Sequence, residues 1–142
     1  MDEPTPVIAD DDRPAIDELL PLYEANGWTS YTRDPDTLAR GVHGSMRVVT
    51  ARHEGTLVGL ARAVGDGATI VYLQDVLVMP QWHHRGLGRA LLGALFAPYG
   101  SVRQHVLLTD DDEAQRAFYE AMGFAETRDV GEGTLRAFVR FA

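Results

Sequence analysis

The sequence predicts a mixed α/β (α+β) fold in one domain over residues 1–142, with a mostly antiparallel central sheet of about six or seven strands flanked by about four helices. Three observations carry that prediction. Apolar residues recur at helical spacing before residue 45. From Arg47 they switch to β-branched runs separated by glycine turns. Beyond residue 80 helical and strand patterns alternate, which marks β-α-β connections. A chain of 142 residues suits one core, since two domains would each bury too little.

The elements follow in order. Asp10, Asp11 and Asp12 precede the first helical pattern, and their expected role is capping, where carboxylates complement the helix start. Ile16, Leu19, Leu20 and Tyr23 form its apolar stripe, and Gly27 breaks it. A short helix follows Pro35 through Leu38 and ends near Gly41 or Gly44. Val48, Val49 and Ala51 mark a strand, His53-Glu54-Gly55 a turn, 57–64 a second strand and Asp66-Gly67 another turn. The run 69–78 reads as a third strand, apolar enough for burial on both faces. Pro80 stops it. Leu87, Ala90, Leu91, Leu92, Leu95 and Phe96 give a helix that Pro98 and Gly100 end. A strand over 102–109 leads to a helix opened by 110–113 and carrying Ala114, Ala117, Phe118, Ala121 and Met122, with Gly123 as its C-terminal cap. Two strands, 124–127 and 134–141, close the order around a Gly131/Gly133 turn.

Composition narrows the function classes. The net charge is −8, and all 13 basic residues are Arg. No stretch concentrates them, which argues against a nucleic-acid partner. Cysteine is absent, so disulfides, thiolate metal sites and a cysteine nucleophile are excluded. His83 and His84 are adjacent but lack further ligands, so no metal is expected. No apolar run reaches the roughly 18–20 residues that cross a bilayer. The N-terminus lacks a signal-peptide pattern, and the expectation is a cytoplasmic protein with no membrane partner.

The segment richest in chemistry runs from Val76 to Leu92: a strand, a loop, then a helix opened by Gly86 and Gly88. Helix starts present unpaired N–H groups and partial positive charge, and glycines let backbone close on an anion. Arg85 and Arg89 flank the turn with donors suited to phosphate. A P-loop is excluded, because a chain without Lys cannot supply its GK[ST]. A dinucleotide turn is disfavoured, because Leu91 stands at the third glycine and the loop from Pro80 is long.

The segment instead resembles the acyl-CoA-binding turn of the GNAT acetyltransferases. That turn follows a strand ending near Val-x-Pro, here Val78-Met79-Pro80, with [Gln/Arg]-x-x-Gly-x-[Gly/Ala] opening a helix. His83-His84-Arg85-Gly86-Leu87-Gly88 occupies those six places, with His83 in place of Gln or Arg. A second stretch, from Asp111 to Phe124, is similar to the family pattern Asn-x-x-Ala-x-x-[Leu/Phe]-Tyr-x-x-x-Gly-Phe, with Asp111 where Asn is usual and Ala114, Phe118, Tyr119, Gly123 and Phe124 matching. The resemblance covers roughly 73–124, and the element order on either side also fits.

The resemblance implies acetyl transfer from acetyl-CoA to a primary amine of a small molecule, directly in a ternary complex. It implies that Leu77, Val78 and Met79 hold the pantetheine arm. It gives the pyrophosphate to His83, His84, Arg85, Gly86, Leu87, Gly88 and Arg89, and further cofactor contacts to Asp111, Ala114 and Phe118. Tyr119 matches the tyrosine that reaches the CoA sulfur in many relatives and is the candidate general acid, with Phe118 about 100° around the helix toward the core. Asp75 is the candidate base: a mid-strand carboxylate is costly unless paired, and it would take the amine's proton or hold an ammonium. A salt bridge to an Arg is the competing reading. Strand alternation puts Tyr72, Gln74 and Val76 on one face and Leu73, Asp75 and Leu77 on the other.

The acceptor wall is expected from Trp28 and Tyr31 in a polar-aromatic loop, with Tyr72 and Gln74 beside them. Trp28 packed over the helix end is the alternative for that loop. Two other functions remain open: a non-catalytic acyl-CoA sensor, and an acyltransferase for a peptide or protein amine. Dimerisation of two copies is a further expectation, with the alternating segment 135–141 as an edge.

Overall fold

The structure, a computed structural model, describes residues 5–131 and 135–142. The chain forms two compact units, Met1–Leu108 and Thr109–Ala142. The first holds a five-stranded sheet in the order β1-β2-β3-β4-β5. Its strands are β1 (Val7–Ala9), β2 (Arg47–His53), β3 (Thr56–Gly65), β4 (Ile70–Val78) and β5 (Gln104–Leu107). All neighbours are antiparallel except β4 and β5, which run parallel. β1 was not legible in the sequence, because its three residues are too few to show a period.

Helices cover both faces of β3. α1 (Ile16–Ala25), the single turn α2 (Thr29–Thr32) and α3 (Pro35–His43) precede β2, and α4 (Leu87–Phe96) follows β4. Leu19, Leu22 and Tyr23 of α1 and Leu38 and Val42 of α3 pack on Val48, Leu57, Leu60 and Leu77 of the sheet. The next residue along β3, Gly59, faces the other way: a Cβ there would stand 3.0 Å from Leu91 Cδ1 of α4. Alternation along one strand therefore feeds two layers. α3 starts where Asp34 accepts from Thr37 N at 3.2 Å and Pro35 supplies the first helical residue.

The acidic cluster does not cap α1, which begins after Ala15 with no side-chain cap. Asp10 pairs with Arg47, Asp11 with Arg13, and Asp12 with Arg52. Burial pushes the Asp12 carboxyl up, but hydrogen bonds from Arg52 and Thr50 outweigh it and hold the group below its usual range. These guanidinium partners, two of them distant in sequence, hold the charges that the helix end was expected to attract.

β4 carries buried residues on both faces, but not without interruption: Val71, Leu73, Asp75, Leu77 and Val78 are buried, Tyr72 and Val76 half-buried, and Gln74 exposed. The second unit holds α5 (Glu113–Ala121), capped by Asp112, which accepts from Ala114 N at 2.8 Å. Asp111, at the Asn position of the family pattern, lies one residue earlier. The expected strands after it do not form: 127–129 is a 3-10 turn, and 135–142 carries no regular secondary structure. Gly133 and Thr134, the turn and first residue of the last expected strand, lie outside the described residues. Leu135, Phe138, Val139 and Phe141 are exposed, so their alternation finds no ladder, and alternation without a paired edge does not hold a strand.

Candidate active site

β4 and β5 pair only over Ile70–Leu73 and Gln104–Leu107. Past Leu73 the β5 side of β4 carries no strand partner among the described residues. That open edge is where an extended ligand would add by backbone hydrogen bonding. Of the three residues expected to line a pantetheine arm, Met79 donates its N–H to Val58 O at 2.7 Å, toward β3. Alternation then turns the Val78 backbone to the open edge, and His83 Nε2 lies 2.8 Å from Val78 O. The Leu77 and Val78 side chains are core, 4% and 9% exposed.

The loop to α4 is built for close backbone approach. His84 (φ 61) and Gly86 (φ 80) both adopt left-handed conformations. Gly86 is needed for its φ rather than for room, since a Cβ there would meet nothing within 4 Å. The same open space leaves the start of α4 reachable. Its first helical bond is Ala90 N to Gly86 O, 3.1 Å, so the N–H groups of Leu87, Gly88 and Arg89 precede the ladder. His83, His84, Arg85, Gly86 and Arg89 are exposed, Gly88 half-buried, and the Leu87 side chain is buried. The Arg85 guanidinium lies 4.7 Å from the Trp82 ring centroid, and the Trp82 and His53 rings meet at a tilt, with centroids 4.9 Å apart. These residues fit a pyrophosphate: oriented backbone donors at an accessible helix start, with two guanidinium groups beside them.

Asp75 is 3% exposed and paired with Arg62, 6% exposed, at 2.6 Å. The Tyr23 hydroxyl donates to Asp75 Oδ2 at 2.8 Å, and the Tyr31 hydroxyl to Oδ1 at 3.2 Å. The salt bridge weighed as the competing reading of Asp75 is therefore present. Both oxygens are occupied, so proton transfer to the carboxylate would pass through a tyrosine hydroxyl. Burial, then the Asp75 charge, push the Tyr23 and Tyr31 phenols above their ordinary value.

Gln74 Nε2 donates to the same Tyr31 hydroxyl at 2.9 Å. Alternation had put Gln74 and Asp75 on opposite faces. In the ladder Arg62 pairs with Asp75 and Ala63 with Leu73, which leaves Gln74 as one extra residue on β4. A bulge of this kind turns consecutive side chains toward one side, and both reach Tyr31. Trp28 and Tyr31 meet Tyr23 edge to face at 5.7 and 5.4 Å, so Trp28 is both packed and half-exposed to line a wall. Neither Arg62 nor Ser45 stands out as a site residue in the sequence, and Tyr23 shows there only as part of an apolar stripe. The available signal was an Arg inside the apolar run 57–64, which a buried carboxylate must answer.

In the second unit Tyr119 is 9% exposed and lies between Phe118 (5.1 Å) and Phe124 (6.1 Å). Phe118, expected in the core, is half-buried, while Asp111 and Ala114 are exposed. Burial pushes the Tyr119 phenol up to about 12.

Among the described residues no group of three or more His, Asp or Glu is placed to hold a metal ion, and no helix is long and apolar enough to cross a membrane.

Comparison with known proteins fits this geometry. Residues 44–126, more than half of the chain, match the acetyltransferase (GNAT) domain family. Uncharacterised N-acetyltransferases of Mycobacterium bovis and Mycobacterium tuberculosis are each 29% identical over 80 residues, 54% of this chain and 51% of theirs. The chain thus spans about half the length of these curated relatives. A GNAT-family acetyltransferase of Streptococcus pneumoniae superposes with a TM-score of 0.81 at 27% identity, covering 95% of this chain and 98% of its own. An aminoglycoside N-acetyltransferase in complex with CoA shares the fold, with a TM-score of 0.69 at 16% identity over 99% of both chains. On the match over residues 44–126, this chain belongs to the GNAT acetyltransferases.

Proposed function

We propose that this chain is an acetyl-CoA-dependent N-acetyltransferase that acts directly, in a ternary complex, on a primary amine of a small molecule. The observation that carries the reading is the open edge of β4 past Leu73 running into the left-handed turn at His84 and Gly86. That path offers backbone hydrogen bonds to an extended arm and then N–H groups to a pyrophosphate. Bound acetyl-CoA would supply a thioester carbon for attack by the amine nitrogen and a thiolate leaving group.

The chain's residues then have distinct tasks. Val78 holds the arm through its backbone, and His83 fixes the Val78 carbonyl. Residues 84–89 hold the pyrophosphate, while Asp111, Ala114 and Phe118 add cofactor contacts from the second unit. Trp28, Tyr31, Tyr72 and Gln74 form the acceptor wall. Tyr119 gives its phenolic proton to the departing sulfur as the C–S bond breaks. Its elevated pKa keeps that proton in place across the neutral range. The proton lost by the amine leaves through the Tyr31 hydroxyl and Asp75, or through water. An aminoglycoside-acting fold relative gives small polyamine-like acceptors as a first panel.

The donor is a cytoplasmic metabolite, so the reaction belongs in the cytoplasm. The exposed Phe138 and Phe141 favour a homodimer that covers them, which light scattering on a sizing column would resolve.

Thermal melting tests the reading first, with acetyl-CoA beside CoA, ATP and NAD. Acetyl-CoA at about 100 times its Kd adds roughly 2.7 kcal/mol. A selective rise, followed by amine-dependent CoA release, is expected. A folded protein whose midpoint ignores acetyl-CoA would sink it. Retained CoA binding with no turnover on any amine would instead indicate a sensor.

A further inference from the structure

We infer that Arg62 and Tyr23 are positioning residues that set the hydrogen-bond polarity of Tyr31 and so restrict the acceptor to a donor-bearing nitrogen. The inference rests on the acceptor-wall reading above. Arg62 and Tyr23 both end on Asp75 Oδ2, at 2.6 and 2.8 Å. Oδ1 is left to accept from Tyr31. Ser45, which receives Arg62 at 3.2 Å and itself donates to Gly41 O at 2.8 Å, fixes the guanidinium from behind.

The consequence is chemical. A phenol has one proton to donate, and that of Tyr31 is spent on Asp75. Toward a ligand the Tyr31 oxygen can therefore only accept, through the lone pair that Gln74 Nε2 does not use. Gln74, whose amide N–H is turned to Tyr31, keeps its carbonyl oxygen as a second acceptor. The half-buried Tyr31 ring and the exposed Gln74 thus present acceptors on one side of β4. A primary amine held through its N–H keeps its lone pair unengaged, as attack on a thioester requires. If Tyr31 donated instead, it would occupy that lone pair. The Arg62–Asp75–Tyr23 cluster prevents this by claiming the hydroxyl proton from below, and the bulge at Gln74 completes the arrangement.

The test uses the full chain with its five tyrosines labelled at the 13Cζ atom, which reports the hydrogen bonding of the hydroxyl. The Tyr31 resonance is identified by its absence in Tyr31→Phe. Tyr23→Phe and Arg62→Gln are each expected to move it in the ligand-free protein. Tyr23→Phe keeps the ring and its packing, so it remains informative if Arg62→Gln does not fold. Acceptor KM should rise about fivefold in Tyr23→Phe, the scale of one hydrogen bond, with the acetyl-CoA Kd unchanged. In a Tyr31→Phe background the same Tyr23→Phe change should leave KM unaltered, because the two act in series. Additive KM effects, or an unmoved Tyr31 resonance, would overturn the positioning role. A wild type that binds acetyl-CoA yet turns over no amine overturns the acetyltransfer reading, and with it the acceptor role of Tyr31, whatever the resonance does.

Discussion

The Phe124 N–H donates to the Tyr119 carbonyl at 3.0 Å, and the two rings meet edge to face at 6.1 Å. With Gly123 N–H on Glu120 O at 3.0 Å and Gly123 at φ 95, this is a complete Schellman cap. The spacing Tyr-x-x-x-Gly-Phe is thereby explained as local geometry. The glycine reverses the chain, and the Phe returns against the Tyr it follows by five positions. Tyr119 is held by its own helix end.

Replacing Gly123 should therefore disturb Tyr119 without touching it. A non-glycine residue at this φ costs about 1–2 kcal/mol. Gly123→Val is expected to lower the urea midpoint accordingly and to reduce kcat for acetyl transfer. Acetyl-CoA affinity, which the proposed reading assigns mainly to 78–89, should hold. A Gly123→Val protein with wild-type stability and kcat would show that the cap does not position the phenol.

The buried pair Arg62–Asp75 gives a second expectation. Removing one partner strands the other charge where water cannot reach it, at about 3–5 kcal/mol. Arg62→Met should be strongly destabilised in chemical denaturation. The double variant Arg62→Met/Asp75→Asn should recover much of the loss, because no bare charge remains. Equal midpoints for the single and double variants would contradict that account.

What was legible in the sequence divides along the same physical lines. Elements long enough to show a period were visible: α1, α3, the β2–β4 meander, α4 and α5. So was Gly86, because only glycine readily takes a left-handed turn that opens onto a helix start. The bulge at Gln74 was not legible, since nothing in the run Leu73-Gln74-Asp75 marks an extra residue; it shows only in the ladder, where Arg62 pairs with Asp75 and Ala63 with Leu73. The C-terminal alternation around Phe138 misled, because a strand needs a neighbour and the period of one segment says nothing of its partner. The acidic run Asp10-Asp11-Asp12 misled for a similar reason, as Arg47 and Arg52 lie far away in sequence.

The tyrosines predict how stability responds to alkali. Burial raises Tyr119 to about 12, and burial followed by the Asp75 charge raises Tyr23, Tyr31 and Tyr72. Unfolded tyrosines release their protons near 10. Below that pH both states hold the proton, and the contribution to stability is complete. As pH climbs from about 10 through 12 the unfolded chain ionises first, so stability falls. Urea midpoints should be flat from pH 7 to 9 and decline steeply above 10. Tyr119→Phe should shallow that decline by removing one of the late-titrating groups. An alkaline slope identical in Tyr119→Phe would mean that Tyr119 titrates normally in the folded chain.

Gly86 supplies the sharpest separation of fold from function. Its φ of 80 is unfavourable for any side chain, yet a Cβ there meets no atom within 4 Å. Gly86→Val should therefore cost only the backbone strain, about 1–2 kcal/mol, and the protein should still fold. The valine side chain would project into the open space over the first N–H groups of α4, where the pyrophosphate belongs in the proposed reading. The expected result is a protein with cooperative melting and no acetyl-CoA-dependent rise in its midpoint. Gly93→Ala is the control: it lies in the middle of α4, and its Cβ also meets nothing within 4 Å. That variant should keep the full ligand-dependent rise. If Gly86→Val kept it too, the turn would not be where the anion sits. If both variants lost it, the effect would belong to the helix as a whole and not to its start.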